Sequence, residues 1–229
     1  MKINSYESFA ERYDWMTQKN PAREKFFGRL FKKYNISNVL DCACGTGVDL
    51  IMFYTFGYNA VGSDLSDAML DQAKKNLAAT GQKTPLKKVD FRELEKNYST
   101  QFDAVVCLSN AINEIHEERE VNRALQSMKA VLRPGGILVF DQGQTDAMMK
   151  NPPKFAPVIN NHDFSRLFVF EYSKDIMKVN IFDFIHTEQK CNFFTTSVDV
   201  AIANAVLILP EMAGLKTDIL PVRILQADS

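Results

Sequence analysis

No excess charge of either sign marks this 229-residue chain, in which 27 basic and 28 acidic side chains leave a formal net charge of −1. The two signs are interspersed. That removes the electrostatic footprint of a protein that binds nucleic acid or an anionic membrane and leaves a small-molecule substrate as the expected partner. No apolar signal segment opens the chain at Met1-Lys2-Ile3-Asn4-Ser5, and the longest late apolar run, Val200 to Leu209, is too short to span a bilayer. A cytoplasmic location is expected on that ground. Cysteine is scarce and badly spaced for metal: Cys42 and Cys44 stand one residue apart, with Cys107 and Cys191 far from them. Without a second ligand pair at zinc spacing they read as reduced, space-filling thiols, and no metal is expected. Internal repeats and low-complexity tracts are missing too. With 46% hydrophobic residues the chain can bury one substantial core, so a single domain over 1–229 is the default; the composition leaves a homo-oligomer open.

What is present is alternation. From Ser37 to Gln142, strand-like and helix-like runs take turns, which predicts parallel βαβ units and an α/β fold. Short apolar strands are expected at Asn38 to Cys42, Asn59 to Ser63, Leu86 to Val89, Phe102 to Leu108 and Ile137 to Asp141. Ser66 has the chemistry of a helix N-cap, Met69, Leu70, Ala73 and Leu77 share the following face, and Gly81 supplies the stop. Glu117-Glu118 opens a later helix with Val121, Leu125, Met128 and Leu132 on its core face, and Arg133-Pro134-Gly135-Gly136 reads as the link into the fifth strand. Upstream, Asn20-Pro21 starts a helix whose Phe26, Phe27, Leu30, Phe31 and Tyr34 form an apolar stripe. Downstream, Arg166 to Tyr172, Met177 to Phe184 and Asn192 to Val200 predict an antiparallel extension, with a turn at Tyr172-Ser173-Lys174-Asp175 and a proline-stiffened linker at Asn151-Pro152-Pro153-Lys154. Asp218 to Leu220 and Val222 to Leu225 are read as two short closing strands.

The chemistry concentrates at Asp41-Cys42-Ala43-Cys44-Gly45-Thr46-Gly47, where an acidic residue closes a strand and a glycine-flanked turn leads into a helix. Such a turn lets backbone N–H groups approach a nucleotide-sized ligand. A dinucleotide fingerprint needs glycine directly after the strand and a third glycine near the helix, and here those places hold Asp41 and Leu50, against a nicotinamide oxidoreductase. About twenty residues beyond the turn, Asp64 ends the second strand, where a carboxylate can accept both hydroxyls of a ribose.

The pattern acidic-x-x-x-Gly-x-Gly resembles motif I of the class I S-adenosylmethionine-dependent methyltransferases, and Val39 through Asp49 is similar to the glycine/sarcosine N-methyltransferase branch. The resemblance implies a Rossmann-like class I methyltransferase fold: a mostly parallel twisted sheet with helices on both faces, an N-terminal helical cap over 1–36, a cofactor-binding core over 37–145, and a β-rich extension over 146–229. It implies S-adenosyl-L-methionine as cofactor, S-adenosyl-L-homocysteine as product, and transfer to a small-molecule acceptor, an amine nitrogen first. A catalytically silent module that binds the same compounds is the competing reading.

By the same resemblance, Ala43, Gly45 and Gly47 cradle the cofactor, Asp41 bonds loop N–H groups or its ammonium, and Leu65 and Met69 lie against the adenine ring. Asp90 accepts from the adenine amino group beside Phe91, Tyr13 lies in an N-terminal arm that covers the cofactor, and Lys19 stands where an arginine pairs with its carboxylate. Surface lysine, loop acid and ordinary core remain the competing readings of Lys19, Asp90 and Met69. Leu108 and Asn110 match a Leu-Gly-Asn stretch, which makes Asn110 the first acceptor-orienting candidate, with Asn113 and Glu114 behind it; His116 is either a base or a solvated cap residue. After the fifth strand the glycine enzymes carry an arginine that clamps the acceptor's carboxylate. This chain reads Asp141-Gln142-Gly143-Gln144, and only Arg166 offers an arginine in replacement.

Overall fold

The computed structural model describes residues 4–16, 20–99, 101–141, 149–202, 216–219 and 222–226. Two short helices, α1 (Asn4–Glu7) and α2 (Ala10–Tyr13), precede α3 (Pro21–Lys33). The Asn20 side chain accepts the Arg23 N–H at 3.0 Å, and Pro21 takes the first helical position, where its missing donor costs nothing. The core then alternates: β1 (Asn38–Asp41), α4 (Val48–Thr55), β2 (Asn59–Asp64), α5 (Asp67–Ala79), β3 (Leu86–Lys88), β4 (Phe102–Cys107), α6 (Glu118–Ala130) and β5 (Leu132–Asp141). Ser66 caps α5 through its hydroxyl, which accepts the Met69 N–H at 3.3 Å.

Strands β1 to β5 are parallel in the order β5-β4-β1-β2-β3, and a pair of late strands extends the sheet beyond β5. These are β10 (Lys216–Ile219) and β11 (Val222–Gln226), antiparallel to one another, with β11 antiparallel to β5. The apolar strands read as near-continuous runs because both faces are covered. Val39, Val106 and Val139 pack with Phe27, Phe31, Phe53 and Leu70 on one side; Leu40, Val105 and Leu138 pack with Leu125, Met128 and Val131 on the other. A one-residue slip in any of these strands would exchange the two sets, so burial on both faces fixes the register.

A second, antiparallel sheet runs β6 (Phe155–Asn160), β7 (Phe164–Tyr172), β8 (Ile176–His186), β9 (Cys191–Ala201) in that order. The expected turn closes with Ser173 N–H donating to the Ile176 carbonyl at 2.8 Å. Strand β6 was not anticipated: Pro157 interrupts its alternation, and the structure tolerates it on the sheet edge, at a register irregularity before Ile159. The Arg133-Pro134-Gly135-Gly136 link also differs from expectation. Helix α6 ends before it, and the four residues bulge out of β5, which pairs Leu132 with Phe102 and next Ile137 with Ala104. Among the described residues no helix is long and apolar enough to cross a membrane.

Candidate active site

The strand order reverses direction at β1: β2 and β3 lie to one side and β4 and β5 to the other. At such a switch point the loops leaving the carboxyl ends of the two central strands diverge and open a crevice. Here the crevice encloses about 720 Å³, its mouth included. Cys42, Ala43 and Gly45 line it from β1, Asp64, Leu65, Ser66 and Met69 from β2 and α5, Asp90 and Phe91 from β3, and Leu108, Ser109, Ala111 and Glu114 from β4. Tyr6 and Tyr13 complete it from the N-terminal helices.

Asp64 organises the floor. One carboxylate oxygen accepts the Gly45 N–H at 2.9 Å and the other accepts the Ser66 N–H at 2.9 Å, so a single side chain ties the glycine turn to the start of α5. Burial raises its pKa, and backbone bonds from Ser66, Gly45 and Leu65 offset part of that rise. The turn itself needs glycine: Gly45 and Gly47 hold φ of +50° and +81°, and a Cβ on Gly47 would sit 3.2 Å from that of Ala73. Asn76 braces it by donating to the Thr46 carbonyl at 2.9 Å and to Asp14 at 2.6 Å, while the Thr46 hydroxyl donates to Asp14. The stretch following Tyr13 is thereby fastened directly to the glycine turn.

Asp41 and Gly47 do not face the crevice. Asp41 is 1% exposed and accepts the Ala43 N–H at 3.3 Å; burial, with the Asp49 charge behind it, pushes its carboxyl well above the usual range. Of the two roles expected for it, bonding the loop is the one its position supports. Asp90 reaches the crevice, but Arg92 holds its carboxylate through a fork at 3.0 and 2.5 Å. Burial would raise that carboxyl; the Arg92 hydrogen bonds outweigh it and leave the pKa lowered.

On the β4 side of the crevice the residues are arranged differently from the expected order. Asn110, at φ +64°, donates its backbone N–H to Asp141 at 2.8 Å, Asn113 is 3% exposed beneath the turn Ala111–Glu114, and neither is on the crevice wall. His116 is exposed and its Nε2 lies 3.3 Å from the Asp199 carbonyl on β9, which turns it out of the crevice. Glu114 reaches the wall instead and accepts the Tyr6 hydroxyl proton across 108 residues of sequence. Burial raises the Glu114 pKa and lifts that of Tyr13 to about 12, so the phenol stays neutral. Lys19 and residues 142–145 lie outside the described residues.

Arg166 is no carboxylate clamp. It is 1% exposed, forks onto Asp183 at 2.6 and 2.8 Å, and donates to the Arg12 carbonyl at 2.9 Å. Arg12 meets the same carboxylate at 3.0 Å, so the cluster ties α2, and with it Tyr13, to the antiparallel sheet. Sequence signals marked most of the crevice because its walls follow strand ends. Tyr6 carried none, since a lone tyrosine in a short helix gains a role only through the residue it meets. Among the described residues no group of three or more His, Cys, Asp or Glu is placed to hold a metal.

Comparison with known proteins gives a consistent picture. Residues 39–136 match the family described as Methyltransferase domain. A glycine/sarcosine N-methyltransferase of Parasynechococcus marenigrum (strain WH8102) is 34% identical over 147 residues, 63% of this chain and 52% of that protein. The chain spans about half the length of the curated relatives it matches. Among solved structures, an S-adenosylmethionine-dependent methyltransferase from Clostridium acetobutylicum ATCC 824 superposes with a TM-score of 0.81 at 18% identity, covering 99% of this chain and 100% of that one. The sugar N-methyltransferase KedS8 from Streptoalloteichus sp ATCC 53650 follows at 0.75 and 22%, covering 90% and 87%. These superpositions show a shared Rossmann-like methyltransferase fold.

Proposed function

We propose, from the match of residues 39–136 to the family described as Methyltransferase domain, that the protein moves a methyl group from S-adenosyl-L-methionine to a small-molecule acceptor, an amine nitrogen. The observation that carries the proposal is Asp64: a carboxylate at the end of β2 that accepts backbone N–H groups on both oxygens and lines the crevice. That donor and acceptor set fits an adenosyl ribose. Leu65, Met69 and Phe91 offer the apolar walls an adenine ring needs, Ala43 and Gly45 the close backbone approach, and Asp90, held by Arg92, a carboxylate on the same wall. Lys19 is the candidate partner of the cofactor's carboxylate, and Leu108 completes the wall beside the acceptor.

When bound, the cofactor supplies a methyl group on a sulfonium, with a neutral thioether as leaving group. The protein's share is alignment of the acceptor lone pair and exclusion of water. Tyr13, held over the crevice by the Arg12–Asp183–Arg166 cluster, and Tyr6, held by its bond to Glu114, serve the second task; Glu114 faces the acceptor, with Asn110 and Asn113 shaping the turn that carries it and His116 left as a peripheral residue. A cytoplasmic setting, no nucleic-acid partner and one methyltransferase unit over 1–229 belong to the same proposal, supported by the even charge balance and by the Arg12–Asp183 and Tyr6–Glu114 contacts, which join the arm to the antiparallel sheet and to the core.

Isothermal titration with S-adenosylmethionine and S-adenosylhomocysteine tests it. Asp64→Ala should weaken binding by about 1.5–3 kcal/mol, the scale of hydrogen bonds to a charged group. An unchanged affinity would reject the role given to Asp64, and heat with some unrelated nucleotide alone would reject the reading.

A further inference from the structure

Among the described residues, the arginines around the crevice are already committed. Arg92 is forked onto Asp90 and bonded to Glu120 at 2.9 Å, Arg23 is forked onto Asp49 at 2.8 and 2.6 Å, and Arg12 and Arg166 share Asp183. No lysine, arginine or histidine lines the crevice among the described residues. Its charged groups are all carboxylates, and they differ in what they hold. Asp64 carries the glycine turn and Ser66, and Asp90 carries Arg92. Glu114 carries only the Tyr6 hydroxyl, on Oε1, and no other donor among the described residues bonds it.

We propose that Glu114 receives the acceptor, docking a protonated amine on its carboxylate and taking one of its protons, and that the acceptor bears no carboxylate of its own. This rests on the methyl-transfer reading above. An aliphatic amine is an ammonium ion at neutral pH and has no lone pair to offer. In the step assigned to Glu114 an ammonium N–H bond breaks, its electron pair stays on nitrogen, and the proton forms an O–H bond on Oε2, from which it passes to solvent. The groups around Glu114 suit that exchange: Tyr6 bonds it, Tyr13 and Asp64 face it across the crevice, and His116 lies beyond it against the Asp199 carbonyl. Burial raises the carboxyl's proton affinity, as a base of this kind requires. The exclusion of carboxylates follows from charge. No cation lines the crevice among the described residues, so a second carboxylate there would meet no counter-ion on those walls.

The test pairs each amino acid with its amide, glycine with glycinamide first, alongside amino sugars and simple alkylamines. Calorimetric titration of the S-adenosylhomocysteine-loaded protein should find the carboxylate-free member binding at least about tenfold more tightly, and S-adenosylhomocysteine release should follow the same order. Glu114→Gln should keep its affinity for S-adenosylmethionine, lose about a hundredfold in turnover at neutral pH, and recover about tenfold per pH unit toward the amine's own pKa. Tyr6→Phe guards against a folding defect in that variant. It removes the bond that lowers the Glu114 pKa, so the acid limb of its kcat/KM profile should move to higher pH. An amino acid accepted ahead of its amide, a Glu114→Gln profile parallel to wild type, or no turnover on the panel by a protein that binds the cofactor would each overturn the inference. Failure to bind S-adenosylmethionine at all would strike the preceding reading and this one together.

Discussion

Asp183→Asn isolates the cluster that fastens the N-terminal helices over the crevice. The carboxylate accepts three guanidinium bonds, at 2.6 and 2.8 Å from Arg166 and 3.0 Å from Arg12, while Arg166 and Asp183 are each 1% exposed. An amide keeps the shape, but it presents one acceptor oxygen where two are used and aims its own N–H groups at guanidinium donors. Removing one charge from a buried pair costs roughly 3–5 kcal/mol, because the other is left uncompensated. The rings of Phe9 and Phe164, 4.7 and 5.2 Å from the Arg166 guanidinium, retain part of the cation's stabilisation, which places the expected loss near the lower bound, about 3 kcal/mol. For a domain of this size that is a fall in Tm of roughly 6–12 °C. Urea denaturation and thermal melts measure it directly, and added salt should change the difference little, since a buried pair is poorly screened. S-adenosylhomocysteine affinity should weaken as well, because Arg166 also holds the Arg12 carbonyl and so the helix that carries Tyr13. A loss below about 1 kcal/mol, the range of exposed ion pairs, would refute the reasoning. Replacing the pair with packed apolar residues, Arg166→Met with Asp183→Leu, should restore much of the stability.

The remaining predictions concern pH and thiols. Asp41 is held above its ordinary 3.8 by burial and by the Asp49 charge, so the stability it contributes is complete below the unfolded pKa and is lost as pH rises through the folded one. Wild type should therefore lose ground to Asp41→Asn as pH rises above about 4, and parallel Tm curves would contradict this. Cys191 is exposed, whereas Cys42, Cys44 and Cys107 are buried, with burial raising the thiols of Cys42 and Cys44 well above their usual range. Alkylation of the native protein should label Cys191 alone, as peptide mass spectrometry can show, and the other three should react only after unfolding. Rapid labelling of Cys42 in the folded state would mean that the crevice floor opens.

Much of the core was legible because its signals are local. Asn20 and Ser66 announce their helices by a side chain that caps within three residues, and Gly45 and Gly47 mark a turn only they can make cheaply. Asp64 stands at a strand end, where the α/β fold puts ligands. Acids that bond a neighbour read less well: Asp90 lies in the crevice as expected, but the arginine two residues on takes its carboxylate.

By itself, then, the sequence determined the alternation of short apolar strands and amphipathic helices, the glycine turn and the carboxylate at the end of β2, since each is set by periodicity or by a few contiguous residues. Tertiary structure decided which acid lines the crevice beyond β4 and which arginines are spent. Glu114 meets Tyr6 across 108 residues, and Arg166 meets the Arg12 carbonyl across 154. No local pattern encodes such pairings. They arise when two segments pack and a buried charge takes the partner that desolvation leaves within reach.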